Sequence, residues 1–319
     1  MRLFGVAMVR NEADVIEAFV RHNLTVLDGL ALIDHDSLDG TSDILGRLQA
    51  ENLRLRVERD ERPEYLQSER TTRLARETLE RERADFVFAL DADEFLKCAS
   101  RPTLDRALAE VPPGTHAVAH WQTYVPVTFD DALPFGRDHL RRRLRAERRT
   151  LYKVVVGRSF VERVADVVAM GNHLVSDPAR AEPPPHARLR PDVVAVAHCP
   201  VRSRRQLESK IIIGHLAHLA SGPVRRDLAF HWRRLYEELR DGGGLTPERL
   251  REIACNYGLQ PSLWQPVDQV ELIDDPVALE GGSRYPPPPA TGVLPLLMRF
   301  AETLARRHSR VPPPAGRVS

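Results

Sequence analysis

The sequence predicts an α/β fold: a doubly wound, mostly parallel sheet with helices on both faces, followed by a C-terminal helical segment. Three observations predict it. Short apolar runs alternate with stretches of helical periodicity through about the first 100 residues, the pattern of β-α-β units. Each apolar run empties into a polar cluster, and ligands of such sheets sit beyond the carboxyl ends of the strands. Hydrophobic residues make up 42% of the 319, enough for a packed core.

Leu3–Val9 is an apolar run closed by Arg10-Asn11-Glu12, which suits a buried parallel strand. Val15, Ile16, Phe19, Val20, Leu24 and Leu27 then recur at helical spacing. Leu30–Ile33 forms a second strand, ended by Asp34-His35-Asp36-Ser37-Leu38-Asp39-Gly40-Thr41, where Asp39-Gly40 supplies the bend. Ile44, Leu45 and Leu48 start the next helical stripe, and Leu53, Leu55 and Val57 alternate as a third strand. Ser68–Arg83 reads as an Arg/Glu-rich helix with Leu74 and Leu79 inward. Phe86–Leu90 is a fourth strand running into Asp91-Ala92-Asp93-Glu94-Phe95. In the less regular middle, 117–127, 151–156 and 193–197 read as extended, the last ending at His198. Residues 206–220 read as a helix with Ile212, Leu216 and Leu219 on one face, and 294–307 as a short amphipathic helix.

Charge and cysteine usage narrow the function. Lys plus Arg total 46 against 45 Asp plus Glu, a formal charge of +1, which excludes a dedicated nucleic-acid binder. Lys97, Lys153 and Lys210 are the only lysines; the arginine excess follows the Ala- and Pro-rich composition, while forked guanidiniums also suit phosphate. Cys98, Cys199 and Cys255 form no C-x-x-C pair, so neither a disulfide framework nor a zinc knuckle is indicated. Arg10 interrupts the first apolar run, and no run approaches the ~20 residues of a membrane span. The expected location is cytoplasmic.

Asp91, Asp93 and Glu94 concentrate three carboxylates at one strand end. Alternation puts Asp91 and Asp93 on the same side, so they can converge on one hard divalent cation, Mn²⁺ or Mg²⁺. Asp34, ending its own strand, can accept hydrogen bonds from a nucleobase or ribose, although Asp36, Ser37 and Thr41 could equally cap the next helix. Glu12 could serve a helix dipole, yet three polar strand ends on one edge point jointly to a ligand.

The series Val9-Arg10-Asn11-Glu12, Asp34 through Thr41 as D-x-x-S-x-D-G-T, and Asp91-Ala92-Asp93-Glu94-Phe95-Leu96 resembles glycosyltransferases of the family 2 type with the GT-A nucleotide-sugar fold, and is similar to family 92. Gly171-Asn172-His173, His198-Cys199-Pro200-Val201-Arg202-Ser203 and Lys210 look like later signature segments of that branch. The resemblance implies a metal-dependent hexosyltransferase-like enzyme. Its partners would be a nucleoside diphosphate sugar donor and a glycan, lipid-linked or small-molecule acceptor, without nucleic acid. Asn11, Glu12, Asp34 and Asp36 would line the nucleoside pocket. Asp91 would face ribose or metal, Asp93 would be the principal metal ligand, and His198 or His173 would complete the metal shell. Arg202 and Lys210 would meet the diphosphate. The family usually inverts, which implies direct displacement with a single general base; Asp166, Glu162, Asp130, Asp131 and Glu94 are the carboxylates available, Asp166 the first choice among the four outside the D-x-D-E motif. Residues 1–220 would form the catalytic domain, 221–285 a helical extension, and 286–319 a Pro-rich linker with a terminal amphipathic helix and tail.

Two other readings compete. F-V-F-A-L-D-A-D-E also looks like the nucleophile strand of aspartate-dependent phosphatases, with Asp91 phosphorylated. Alternatively Arg141, Arg142, Arg143, Arg145, Arg148 and Arg149 would make a non-catalytic module gripping acidic lipid or polymer, or a helix face that guides an anionic or lipid-linked acceptor to the active site, with peripheral membrane contact.

Overall fold

The computed structural model describes residues 1–180, 182–221, 230–279, 283–286 and 292–309. The chain opens with β1 (Leu3–Val9), α1 (Ile16–Asn23), β2 (Gly29–Asp34), α2 (Thr41–Ala50), β3 (Leu55–Arg59), α3 (Gln67–Arg81) and β4 (Phe86–Leu90). The four strands pair in the order β3-β2-β1-β4, all parallel, as the alternating pattern predicts. β1 is buried throughout because helices cover both faces of the sheet. Leu3, Ala7 and Val9 join a layer with Ile16 and Phe19 of α1 and Leu45 and Leu48 of α2. Phe4, Val6 and Met8 point the other way, into a layer with Leu74, Ala75 and Leu79 of α3. The period-2 geometry of one strand thus holds two helical layers apart.

Beyond β4 the chain departs from a simple repeat. Glu94, expected in a polar loop, instead begins an antiparallel strand β5 (Glu94–Cys98), because a tight turn in which Glu94 N–H donates to the Asp91 carbonyl (3.1 Å) reverses the chain. There follow α4 (Arg101–Ala109), β6 (His116–Thr123), β7 (Arg142–Leu144), β8 (Tyr152–Gly157), α5 (Ser159–Glu162), β9 (Val167–Val168), β10 (Val175–Ser176), β11 (His186–Arg188) and β12 (Val194–His198). Among the described residues the main sheet has nine strands, in the order β3-β2-β1-β4-β8-β6-β12-β5 with β11 against β6. β8 runs antiparallel to both neighbours, so its beginning, at Tyr152 and Lys153, lies at the edge where β4, β6 and β12 end.

The last elements are α6 (Arg204–Ala220), α7 (Phe230–Arg240), α8 (Pro247–Cys255), β13 (Leu272–Asp274) and α9 (Val293–Ser309). The sequence places α6 correctly but not its inward face. Leu207, Ile211, Ile213 and Ala217 are buried while Leu219 is 42% exposed, because α6 is wedged between two groups and not laid on one. Leu207 and Ile211 meet Leu235 and Leu250; Ile213 and Ala217 meet Leu296 and Phe300 of α9. The arginine run is not a helix face either. It contains β7, against which β13 lays an acidic segment: Arg141 and Arg142 pair with Asp274, Arg143 with Asp275 and Arg145 with Glu271. These four arginines are therefore engaged within the chain. The Pro-rich stretch 287–290 and the tail beyond 309 lie outside the described residues. No helix among the described residues is long and apolar enough to cross a membrane.

Candidate functional site

Parallel strands in register bring their ends to one edge. Val9 pairs with Asp34 and Ala7 with Leu90, while His198 pairs with both Thr123 and Glu94. The loops after β1, β4 and β12 consequently meet, and antiparallel β8 adds Lys153. Asn11 turns the first loop with φ +54°, a left-handed conformation Asn tolerates better than most residues. Its Oδ1 accepts from Leu38 N–H at 2.7 Å. Glu12 N–H donates to Thr41 Oγ1 at 2.8 Å, tying the β1 loop to the start of α2.

The centre is Asp91-Ala92-Asp93. Asp91 Oδ1 accepts from Gln67 Nε2 (2.9 Å) and Asn172 Nδ2 (3.0 Å), and Oδ2 from Lys153 Nζ (2.5 Å). Lys153 also reaches Glu94 (2.8 Å) and the Gly171 carbonyl (2.8 Å). Burial works against its charge, but Asp91 and Glu94 outweigh it and hold the ammonium protonated, well above its ordinary value. Asp93 is almost completely buried and its two oxygens have separate tasks. Oδ2 accepts from Lys210 Nζ at 2.6 Å, with Arg202 3.5 Å away, and Oδ1 faces His198 Nε2 at 3.4 Å. Although burial opposes ionisation of Asp93, Lys210, His198 and Arg202 prevail and push its carboxyl well below the usual range. For His198 burial outweighs the pull of Asp93 and lowers its pKa below the ordinary imidazole value.

Such an arrangement fits a divalent cation. Two donors of one octahedral ion with bonds of about 2.1 Å stand roughly 3 Å apart, and a carboxylate with a neutral imidazole is a donor set that Mn²⁺ accepts. The described residues contain no group of three or more His, Cys, Asp or Glu able to hold a metal, so Asp93 and His198 would supply two donors and the ligand the rest. The lysines suit an anion beside that cation.

A cavity of about 470 Å³ opens over these groups. On the β1 side its wall is Met8, Arg10 and Tyr65, roofed by Ile213, His218 and Trp232; on the β6–β8 side it is Trp121, Leu151 and His173. Gly214 is required beneath that roof, since a Cβ there would lie 2.7 Å from the Trp232 ring. His173 stacks on Trp121 (centroids 5.4 Å, 21°) and directs Nδ1 to the Tyr152 carbonyl at 2.9 Å. Burial, reinforced by the nearby Lys153 charge, lowers its pKa to about 4. A larger hollow of about 1050 Å³ lies on the far side of Asn11, Gln206 and Ser209, which line both; it contains neither Asp91 nor Asp93.

Not every sequence-predicted residue reaches the cavity. Asn11, Glu12, Asp91, Asp93, His173, His198 and Lys210 line it. Asp34 does not: its buried carboxylate is used within its own loop, by Ser37 N–H (3.1 Å) and the Ser42 hydroxyl. Asp36 is tied to Arg59 at 2.7 Å. Arg202 is 1% exposed and spans Glu12 and Asp14, making it a strut between the β1 loop and the start of α6 before it is anything else. Glu94 lies beneath the floor, its Oε2 accepting from Asp91 N–H at 2.9 Å, with no exposure. Asp166 belongs elsewhere: it contacts His116 (3.4 Å), at the beginning of β6, and Arg163 (3.9 Å). β6 ends at the cavity, so Asp166 stands at the opposite end of that strand, which removes the reason for choosing it as a base. Sequence reasoning missed Lys153, Gln67, Trp121, Tyr65 and Trp232. Only Lys153 carried a usable signal, a lone lysine in an arginine-rich chain placed in an apolar strand.

No protein-family model and no curated protein matches this chain. Among solved structures the fold is similar to TarS residues 1–349 of S. aureus, 12% identical over 69% of this chain and 65% of that one, TM-score 0.35. It is also similar to the mannosyltransferase PcManGT from Pyrobaculum calidifontis in complex with GDP-Man and Mn²⁺, 13% identical over 98% and 76%, TM-score 0.37. A third is GalNAc-T7 with UDP, GalNAc and Mn²⁺, 11% identical over 76% and 57%, TM-score 0.38. This chain therefore spans less than two thirds of the TarS and GalNAc-T7 chains.

Proposed function

We propose that this protein is a glycosyltransferase that moves a sugar from a nucleoside diphosphate donor to an acceptor hydroxyl. The observation that carries the reading is the pairing at one sheet edge of Asp91 with Lys153 and of Asp93 with Lys210, beside His198, on the floor of one cavity. Two of only three lysines in the chain are placed there. A compact ammonium turns readily from a carboxylate to a phosphate oxygen, which a forked guanidinium locked between two acids does not.

The nucleoside lies on the β1 side, between Met8, Arg10 and Tyr65, because bound nucleotides sit beyond the carboxyl ends of the parallel half-sheet. The diphosphate then falls over Asp93, where Lys210 meets it. Asp93 and His198 would hold a Mn²⁺ or Mg²⁺ ion, which when bound supplies positive charge to the leaving diphosphate. Lys153 keeps Asp91 oriented while its own charge faces the cavity floor, and Lys210 follows the charge that develops as the sugar departs. The acceptor enters from the β6–β8 side past Trp121 and Arg149. The sugar thus lies between leaving group and acceptor, the arrangement of a direct, inverting displacement.

Titration calorimetry with UDP and GDP sugars, with and without Mn²⁺, tests the reading. Binding of at least one donor, strengthened by Mn²⁺ and lost in Asp93→Asn, is expected. Failure of every donor, or equal binding by Asp93→Asn, overturns it.

A further inference from the structure

Transfer to a hydroxyl needs a group that takes its proton, and the carboxylates around the cavity are already engaged. Asp91 is held by Lys153, Gln67 and Asn172, and Asp93 by Lys210. Glu12 is bound to Arg202, and Glu94 lies under the floor against Lys153. On the β6–β8 side, where the acceptor enters, the cavity wall offers His173. A carbonyl oxygen only accepts, so the 2.9 Å contact with Tyr152 O puts the ring proton on Nδ1 and leaves Nε2 with its lone pair. No described residue bonds to Nε2. The ring is held by the Tyr152 carbonyl and the Trp121 face at 5.4 Å, and Gly171 leaves room for it, since a Cβ there would come within 2.7 Å of Nε2. Gly171 has φ +81° and its carbonyl receives Lys153, so the segment that places His173 is anchored to the same lysine as Asp91.

We propose that His173 is the general base of the transfer, a statement that rests on the glycosyltransferase reading. The acceptor O–H proton passes to Nε2 as the acceptor oxygen forms its bond to the anomeric carbon. The bond from that carbon to the diphosphate oxygen breaks, and its electron pair leaves with the diphosphate. The imidazolium so formed is stabilised by Nδ1–H donating to Tyr152 O, the orienting role that a third group performs for any histidine base.

The test uses the full chain and the tightest-binding donor of the UDP and GDP panel, following sugar transfer in His173→Gln and His173→Ala with calorimetry of the same donor alongside. Both variants are expected to bind donor within about threefold of wild type while transfer falls by about 10²–10⁴-fold, the usual worth of a positioned base. Added imidazole is expected to restore part of the rate in His173→Ala but not in His173→Gln. Transfer within tenfold of wild type in either variant, donor affinity falling in step with rate, or no imidazole rescue in a folded His173→Ala that binds donor overturns the assignment. Wild-type protein that binds no donor overturns the transferase reading and this assignment with it, so the two failures are told apart.

Discussion

At the scale of single residues, Arg202 shows how a functional expectation turns into a structural one. Its guanidinium lies between Glu12 and Asp14 and 3.5 Å from Asp93. Burial opposes the charge, but Asp14 and Glu12 hold it firmly protonated. Breaking such a network leaves carboxylates buried without a partner. Arg202→Met is therefore expected to destabilise the fold by about 3–5 kcal/mol in urea unfolding; a loss below about 1 kcal/mol would mean that water replaces the guanidinium freely. Asp34 teaches a related lesson. A carboxylate at a strand end is free for a ligand only if its own turn does not consume it, and here Ser37 and Ser42 do.

Elements are held in place by equally local charge pairs. Asp60, in the segment between β3 and α3, accepts from Arg70 Nε (2.7 Å) and Arg62 NH2 (2.7 Å), fastening the start of α3 and with it Gln67. Partial burial raises the Asp60 pKa, but hydrogen bonds from Arg62 and Arg70 overcome this and take it below its ordinary value. A depressed carboxyl stabilises the fold above its unfolded pKa and loses that contribution as pH falls. Stability is thus expected to be fully supported above about pH 4 and to decline below it. Asp60→Asn should lower stability at pH 7 and flatten the decline between pH 4 and 2 in thermal melts. An unchanged acid limb would mean that other carboxylates govern it.

The whole molecule couples its last helix to the site. Phe300 of α9 is fully buried against α6, and Arg10, which lines the cavity, lies 4.6 Å from the Phe300 ring. Since α6 carries Lys210, Phe300→Ala should cost about 3–5 kcal/mol of stability, as large-to-small core changes do, and also weaken donor binding. Full donor affinity in a destabilised variant would show that α9 supports the fold without positioning α6. At this scale the legible part of the sequence was its repeating part: β1 to β4 and their helices follow from periods of 2 and 3.6. β5 and β8 were harder because their place in the sheet comes from long-range pairing, which leaves no local periodicity. The face of α6 was misread for the same reason, since two groups of neighbours compete for it.

By itself the sequence determined the parallel half-sheet and the polar clusters at its strand ends, Asp91 and Asp93 among them, because residue spacing and strand direction are local properties of the chain; His198 and Lys210 entered as candidates only through the family resemblance. Only the tertiary structure decided which of those groups remain available. It tied Asp34, Asp36 and Arg202 to partners of their own, put Asp166 at the wrong end of β6, brought Lys153 in on an antiparallel strand, and stacked His173 on Trp121. The reason is physical: a side chain's type is written in the sequence, but its reactivity depends on which partners satisfy it, and those partners lie far away along the chain.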